Sequence, residues 1–330
     1  MTDLSTPTVE SLTAASSPRA AALPFTIEAA SAGEPLIEAL PRLRADIEAH
    51  LRTTGGVLFR SFAVGGAEGF RAFAAAFGHP LLSYEFGSTP RSKVTGGVYT
   101  STEYPAHQSI PLHNEQAYTR EWPMKIWFYC ERAAPQGGET PIADSRAIYR
   151  AVDAGTRERF ATRGLCYVRN FGNGMDVPWQ QVFNTEDRTE VEAYCARHGI
   201  VCEWKDDGEL RTRQRVQGIA HHPHTGDPVW FNQAHLFHLS ALAPEMRDVL
   251  LDTVGEEDLP RNVYYGDGTP IPDAELDAVR AVLDAHKIVF PWREGDVLML
   301  DNMLTAHARE PFSGPRKVVV AMAEPHGAPA

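Results

Sequence analysis

The chain has 330 residues, 43% hydrophobic and 22% charged, so it can bury a large core and has the makeup of a folded globular protein. No stretch reaches the roughly 20 consecutive apolar residues of a membrane helix, and a formal net charge of −12 excludes the basic footprint that a nucleic-acid backbone demands. Cys130, Cys166, Cys195 and Cys202 show neither CxxC spacing nor a disulfide framework, which points to idle thiols in a reducing, cytoplasmic setting.

The first 24 residues are rich in Ser, Thr, Ala and Pro, lack the basic and apolar regions of a secretory signal, and read as a mobile tail. Residues 35–51 then carry Leu and Ile at helical spacing, 55–62 (GGVLFRSF) form a short apolar strand, and 67–78 read as a second amphipathic helix closed by Gly78 and Pro80. PMKIWFYCE (123–131) is a strongly buried strand. The Gly137-Gly138 turn leads from it into a short strand and a helix starting near Asp144 or Ser145. Between about 150 and 290, helical patterns at 188–199 and 273–286 flank short strands such as PVWFNQ (228–233). Two further strands, 295–302 and 316–324, close the chain. With no repeat and no linker-like shift in composition, the economical reading is one catalytic domain over 25–326. Its β framework is interrupted by a helical insertion at about 145–290.

Within IPLHNEQAYTR (110–120), His113 and Glu115 stand two apart. With 13 histidines and 43 acidic residues in the chain, roughly one or two such pairs arise by chance. On a strand, positions i and i+2 share a face. The pair would then supply two ligands of a 2-His-1-carboxylate site, which holds non-heme Fe(II) and leaves coordination positions open. His307, in LDNMLTAHAREPF, is the candidate third ligand. The plain alternatives are a surface pair and a core histidine.

The ordered series His113-x-Glu115, Thr140 after the Gly-Gly turn of QGGETPIADSR, His307, and Arg316 on the final strand resembles the taurine dioxygenase/TfdA-like family of Fe(II)- and 2-oxoglutarate-dependent oxygenases. The likeness covers most of residues 35–325. It implies a mainly β fold with helical insertions, a double-stranded β-helix or jelly roll. It also implies Fe(II) on His113, Glu115 and His307, with 2-oxoglutarate and O2 as co-substrates and succinate and CO2 released. Arg316 and Thr140 would hold the distal carboxylate of 2-oxoglutarate, a role that suits arginine's planar fork. Lys317 is a rival, but strand alternation aims it to the opposite face. Halogenating relatives carry a small residue at position 115, so Glu115 implies hydroxylation or a related C–H oxidation. Taurine dioxygenase-type members carry a second arginine four residues beyond the first, and here that position is Val320, so a small sulfonate or aryloxyacetate is not expected. The wording LHNE, GGETPIADSR, HHPHTGDPVWFNQ and YGDG is similar to a subgroup resembling the aspartyl hydroxylase of syringomycin biosynthesis. That implies an amino acid or amino-acid-derived substrate in secondary metabolism, free or tethered to a peptidyl carrier protein. Desaturation, epoxidation and cyclisation share the same chemistry and stay open, as does the oligomeric state.

AHHPHTG (220–226) offers three histidines, but Pro223 and Thr225-Gly226 mark a turn, so the three cannot face one way and a structural role is expected. Phe231 and Asn232 are candidates for lining the substrate pocket, with core packing as the alternative. Arg309 is a candidate for a substrate carboxylate or phosphopantetheine, with an exposed charge as the alternative. A zinc hydrolase and a non-catalytic jelly-roll binding protein are the rival classes. The sequence lacks HExxH, and neither rival needs Thr140 or Arg316.

Overall fold

The computed structural model describes residues 22–83, 92–101, 104–172, 174–175, 177–205 and 208–327. The expected N-terminal tail lies outside the described residues except for 22–24. The apolar runs of the sequence become strands buried on both faces. Seven strands form the large sheet, in the order Phe25–Glu28, Gly56–Arg60, Val297–Asp301, Glu121–Arg132, Lys317–Gly327, Val98–Thr100 and Lys93–Thr95. All neighbours are antiparallel except the first pair.

Alternation along the central strands feeds two separate cores. Trp127, Tyr129, Val297, Met299, Val319 and Ala321 meet the helices Leu36–Thr54 and Gly66–Ala75 on one side. Ile126, Phe128, Cys130, Leu298, Leu300, Val318 and Val320 point to the other side. There they meet a small sheet in which Thr305–Arg309 lies between Ile110–His113 and Ile142–Asp144. The two facing sheets make the expected jelly roll. Leu112, Ala143, Ala306 and Ala308, on the far face of the small sheet, pack against the segment inserted after Asp144.

That segment carries helices, but among the described residues it also holds a four-stranded antiparallel sheet ordered Ile200–Trp204, Leu210–Val216, Leu165–Phe171 and Arg261–Tyr265. The signal was in the sequence: Arg211, Arg213 and Arg215 recur every second position, a strand period. The strand predicted over 228–233 stops at Trp230, where it pairs with Ile219–His221 as a hairpin. Among the described residues no helix is long and apolar enough to cross a membrane.

Trp127 is fully buried between the large sheet and its helical cover, with its ring 5.6 Å from that of Phe77. Trp127→Ala is expected to destabilise the fold by about 3–5 kcal/mol, the usual cost of emptying a buried aromatic site. Urea denaturation checks this, and an unmoved midpoint would mean that the helices are not seated on this sheet.

Candidate metal and co-substrate site

His113 closes its strand and His307 is its direct cross-strand partner, with ring centroids 4.4 Å apart. Because Leu112, Ala306 and Ala308 face the insertion, alternation turns both imidazoles the other way, toward the large sheet. There the Phe128 ring lies 4.9 Å from that of His307.

Glu115 arrives differently from the sequence expectation. The strand ends at His113, and Glu115 stands on a turn that follows, so strand alternation does not align the pair. The turn is instead held by Asn302, which sits between the strands Val297–Asp301 and Thr305–Arg309 and is fully buried. Asn302 Oδ1 accepts from the Glu115 N–H at 2.7 Å, and its Nδ2 donates to the Glu115 carbonyl at 2.9 Å and to Pro123 at 2.8 Å. Asn114 Nδ2 donates in return to the Asn302 carbonyl at 2.6 Å. Composition and period could not reveal this clamp, but the buried polar pair Asp301-Asn302 inside an apolar stretch was its visible sign.

The donor atoms of His113, Glu115 and His307 all lie within 4.8 Å of one another. His113 Nδ1 faces the Pro111 carbonyl at 2.9 Å. A carbonyl only accepts, so Nδ1 carries the proton and Nε2 keeps its lone pair for a metal. His307 Nε2 stands 3.7 Å from Glu115 Oε2, and both side chains are 5% exposed. That gap is too long for a hydrogen bond. It suits two donors bound to one ion at about 2.1 Å each, which can lie no more than about 4.2 Å apart. Two imidazoles and a carboxylate, brought together in this way, fit Fe(II) with positions left open.

Beside the triad is a narrow cavity of about 30 Å³, lined by His113, Phe128, Thr140, His307, Arg309 and Arg316 among others. Arg316 precedes the last strand by one residue. Its Nε donates to the Gly138 carbonyl at 2.9 Å and an Nη to Ser101 Oγ at 3.2 Å. The Gly-Gly turn is needed for this approach. Gly138 has φ 74°, and a Cβ there would come within 2.9 Å of Arg316 Cδ. Among the described residues no acidic side chain pairs with Arg316. Burial, reinforced by neighbouring Arg309, pushes its pKa down to about 10. Lys317 is exposed and pairs with Glu131, outside the cavity. The backbone is irregular between Lys317 and Val318, so simple alternation does not describe this corner. Thr140 is buried and accepts a hydrogen bond from Trp292 Nε1 at 3.0 Å.

Of the remaining candidates, Phe231 and Asn232 lie away from this cavity and Arg309 lines it. Phe231 is fully buried, with its ring 4.8 Å from that of Trp122 in a separate cluster. Asn232 donates to the Gly218 carbonyl at 2.6 Å and accepts from the Ala234 N–H. Neither lines the cavity. Arg309 is not an exposed charge: it is 6% exposed, and its Nη groups donate to the carbonyls of Tyr104, Pro105 and Gln108 at 2.7–2.9 Å. Of the three clustered histidines, His222 is buried and donates from Nε2 to Asp301 at 2.9 Å, while its Nδ1 accepts from the turn. It is structural, as its turn context suggested. Val320, where a second arginine would stand, is fully buried in the core.

Residues 19–322 match the family model described as taurine catabolism dioxygenase TauD, TfdA family. The dapdiamide synthesis protein DdaC of Enterobacter agglomerans is 43% identical over 279 residues, covering 84% of this chain and 85% of that one. A clavaminate synthase-like protein of Arabidopsis thaliana is 35% identical over 288 residues, 84% and 83% of the two chains. Among solved structures, PvcB of Pseudomonas aeruginosa aligns with a TM-score of 0.53 at 16% identity, covering 90% of this chain and 84% of that one, a likeness of fold. A second PvcB structure, at TM-score 0.52, is described as an Fe, alpha-ketoglutarate dependent oxygenase from an isonitrile synthetic pathway. With a triad suited to iron and a family match spanning nearly the whole sequence, the chain belongs to the TauD/TfdA family and is an Fe(II)- and 2-oxoglutarate-dependent oxygenase.

Proposed function

We propose that His113, Glu115 and His307 bind the iron, that Arg316 and Thr140 hold the distal carboxylate of 2-oxoglutarate, and that the enzyme hydroxylates an unactivated C–H of an amino acid or amino-acid-derived substrate in secondary metabolism. The observation that carries the reading is Arg316. It is a half-buried guanidinium that, among the described residues, has no acidic partner, and it lines the same cavity as His113 and His307. An uncompensated buried charge is costly, and a ligand carboxylate removes that cost. The similarity to a protein of dapdiamide synthesis supports a biosynthetic setting. The apolar Val320 argues against a small sulfonate held by that strand.

Each residue has a distinct task. His113 and His307 offer Nε2 from adjacent strands, Glu115 adds charge from the turn, and the three ligands on one side leave the opposite positions open. Once bound, iron with 2-oxoglutarate and O2 supplies the oxidation, so that R–H, 2-oxoglutarate and O2 give R–OH, succinate and CO2. Arg316 and Thr140 fix the far end of the co-substrate, and Phe128 screens the imidazoles from water on the sheet side.

A panel of free amino acids and aminoacyl-carrier proteins, scored for a mass gain of one oxygen alongside succinate, tests the reading. One class of panel member should gain oxygen with wild type and none with Glu115→Ala, which should also bind Fe(II) more weakly. Succinate formation by Glu115→Ala at the wild-type rate would remove Glu115 from the metal. Arg316→Gln should weaken 2-oxoglutarate binding at least about thirtyfold, since losing one partner of a buried charge pair costs about 2–5 kcal/mol. Calorimetric titration reads this directly, and an unchanged affinity would place the anchor elsewhere. Asn302→Leu removes the clamp on the Glu115 backbone and should lower iron affinity about 10- to 100-fold, as loss of outer-shell support does. Metal competition with a chromogenic chelator measures it, and wild-type affinity would show that the turn holds its shape without the amide.

A further inference from the structure

The indole of Trp292 acts on the co-substrate site without lining it. We infer that Trp292 is a positioning residue: its N–H fills one acceptor site of the Thr140 hydroxyl and thereby aims the hydroxyl proton at the carboxylate held by Arg316. The inference rests on the proposed binding of 2-oxoglutarate by Thr140 and Arg316.

A threonine hydroxyl has one proton and two lone pairs, and on its own it can rotate to donate or to accept. An indole N–H only donates. Trp292 Nε1 lies 3.0 Å from Thr140 Oγ1, with both residues more than nine-tenths buried. Thr140 makes no other side-chain hydrogen bond among the described residues. Its proton and one lone pair remain, and with the other acceptor site occupied the hydroxyl is turned to offer the proton to a ligand. A carboxylate only accepts, so the hydroxyl is set in the state that this ligand needs before it arrives.

The backbone holds both partners in place. Segment 139–141 lies alongside the His307 strand, through Ala308 N–H to the Pro141 carbonyl at 2.8 Å and Glu310 N–H to the Glu139 carbonyl at 3.1 Å. On the other edge of Ile142, the chain returning from the helix Asp273–Ala285 pairs through Ile288, with bonds of 2.8 and 3.0 Å in both directions. Four residues on, Trp292 meets Thr140. The next turn is pinned by Arg293 N–H to Asp296 at 2.9 Å, and Arg60 donates to the Pro291 carbonyl at 2.9 Å. The indole is thus a fixed donor.

The test is 2-oxoglutarate binding by calorimetry on the Fe(II)-loaded protein under nitrogen, for Trp292→Phe, Thr140→Val and the double variant, with melting temperature and iron affinity as controls. Thr140→Val should weaken binding about tenfold and Trp292→Phe about three- to tenfold. In the Thr140→Val background, Trp292→Phe should add less than about twofold, because the two act through one hydrogen bond. Turnover at saturating 2-oxoglutarate should stay near wild type for Trp292→Phe. If Trp292→Phe fails to fold, Trp292→Leu takes its place in the same cycle. Wild-type affinity in Trp292→Phe with weakened binding in Thr140→Val would overturn the role of Trp292 and leave the co-substrate site standing. Independent, additive losses would reduce Trp292 to packing. Wild-type affinity in Thr140→Val would remove Thr140 from the co-substrate, and the inference about Trp292 would fall with the reading beneath it.

Discussion

The site depends on a single amide. Glu115 lies on no regular element, so neither helix nor strand fixes its carboxylate. Asn302 does so by reading the backbone on both sides of the peptide unit, one N–H and one carbonyl of the same residue, across 187 positions of sequence. A side-chain amide presents an acceptor and two donors, and here the oxygen and the nitrogen are both engaged. The same residue opens the turn into the His307 strand, so two ligands distant in sequence share one reference point. Leaving any of these buried groups unmatched would cost about 1–3 kcal/mol, which makes the clamp close to all-or-none. The network runs on through Asn114 to Ser145, from Gln233 Nε2 to the Asn114 carbonyl, and from the Gln233 N–H to the Tyr167 hydroxyl. The inserted segment therefore does more than cover the small sheet: it helps hold the turn that carries Glu115, the proposed carboxylate ligand.

Arg316 shows the opposite strategy, a charge left without its partner. Its neighbours are a backbone carbonyl, a serine hydroxyl and the Phe312 ring at 5.4 Å. The same ring lies 5.3 Å from the Arg309 guanidinium. Two cations thus lie against one aromatic ring, and Arg309 directs its Nη groups to backbone carbonyls. Among the described residues no acidic side chain pairs with Arg316. A bound anion would offset the burial that, with neighbouring Arg309, holds the Arg316 pKa down.

Much of this was legible in the sequence, for identifiable reasons. Runs such as WFYC and VVVAM have one solution, a strand buried on both faces, and they became the centre of the large sheet. The ordered histidines, carboxylate, threonine and arginine pointed to one chemistry, and the fold brings His113, Thr140, His307 and Arg316 to one cavity. What sequence could not reveal depends on tertiary partners. Phe231 and Asn232 have the composition of pocket residues, but a neighbouring Trp122 and the Gly218 carbonyl occupy them. Arg309 has the look of a surface or ligand-binding charge until three carbonyls of the 104–108 segment are placed around it. Glu115 comes near His113 from a turn whose backbone is hydrogen-bonded to Asn302, which no local period encodes. The Arg211-to-Val216 strand was the one local signal passed over, because helical patterns on either side dominated the segment.

The same geometry limits where substrate selection can reside. In the proposed reading the triad, Arg316 and Thr140 serve metal and co-substrate, and that chemistry is common to hydroxylation and its alternative outcomes. Selection must therefore come from side chains that present one C–H bond of the substrate and no other. The final strand cannot supply an anion-binding group for this purpose at position 320, because Val320 is sealed between the two sheets with Phe128 and Val318 in the same core. A cation placed there would be buried without a partner, at several kcal/mol. A charged group on the substrate has to be met from another element, and the inserted segment is the large element that packs against the small sheet carrying both histidines. The hydrogen bonds that join this segment to the Glu115 turn tie the position of the proposed carboxylate ligand to the insertion, so a change in the insertion would be felt at the triad.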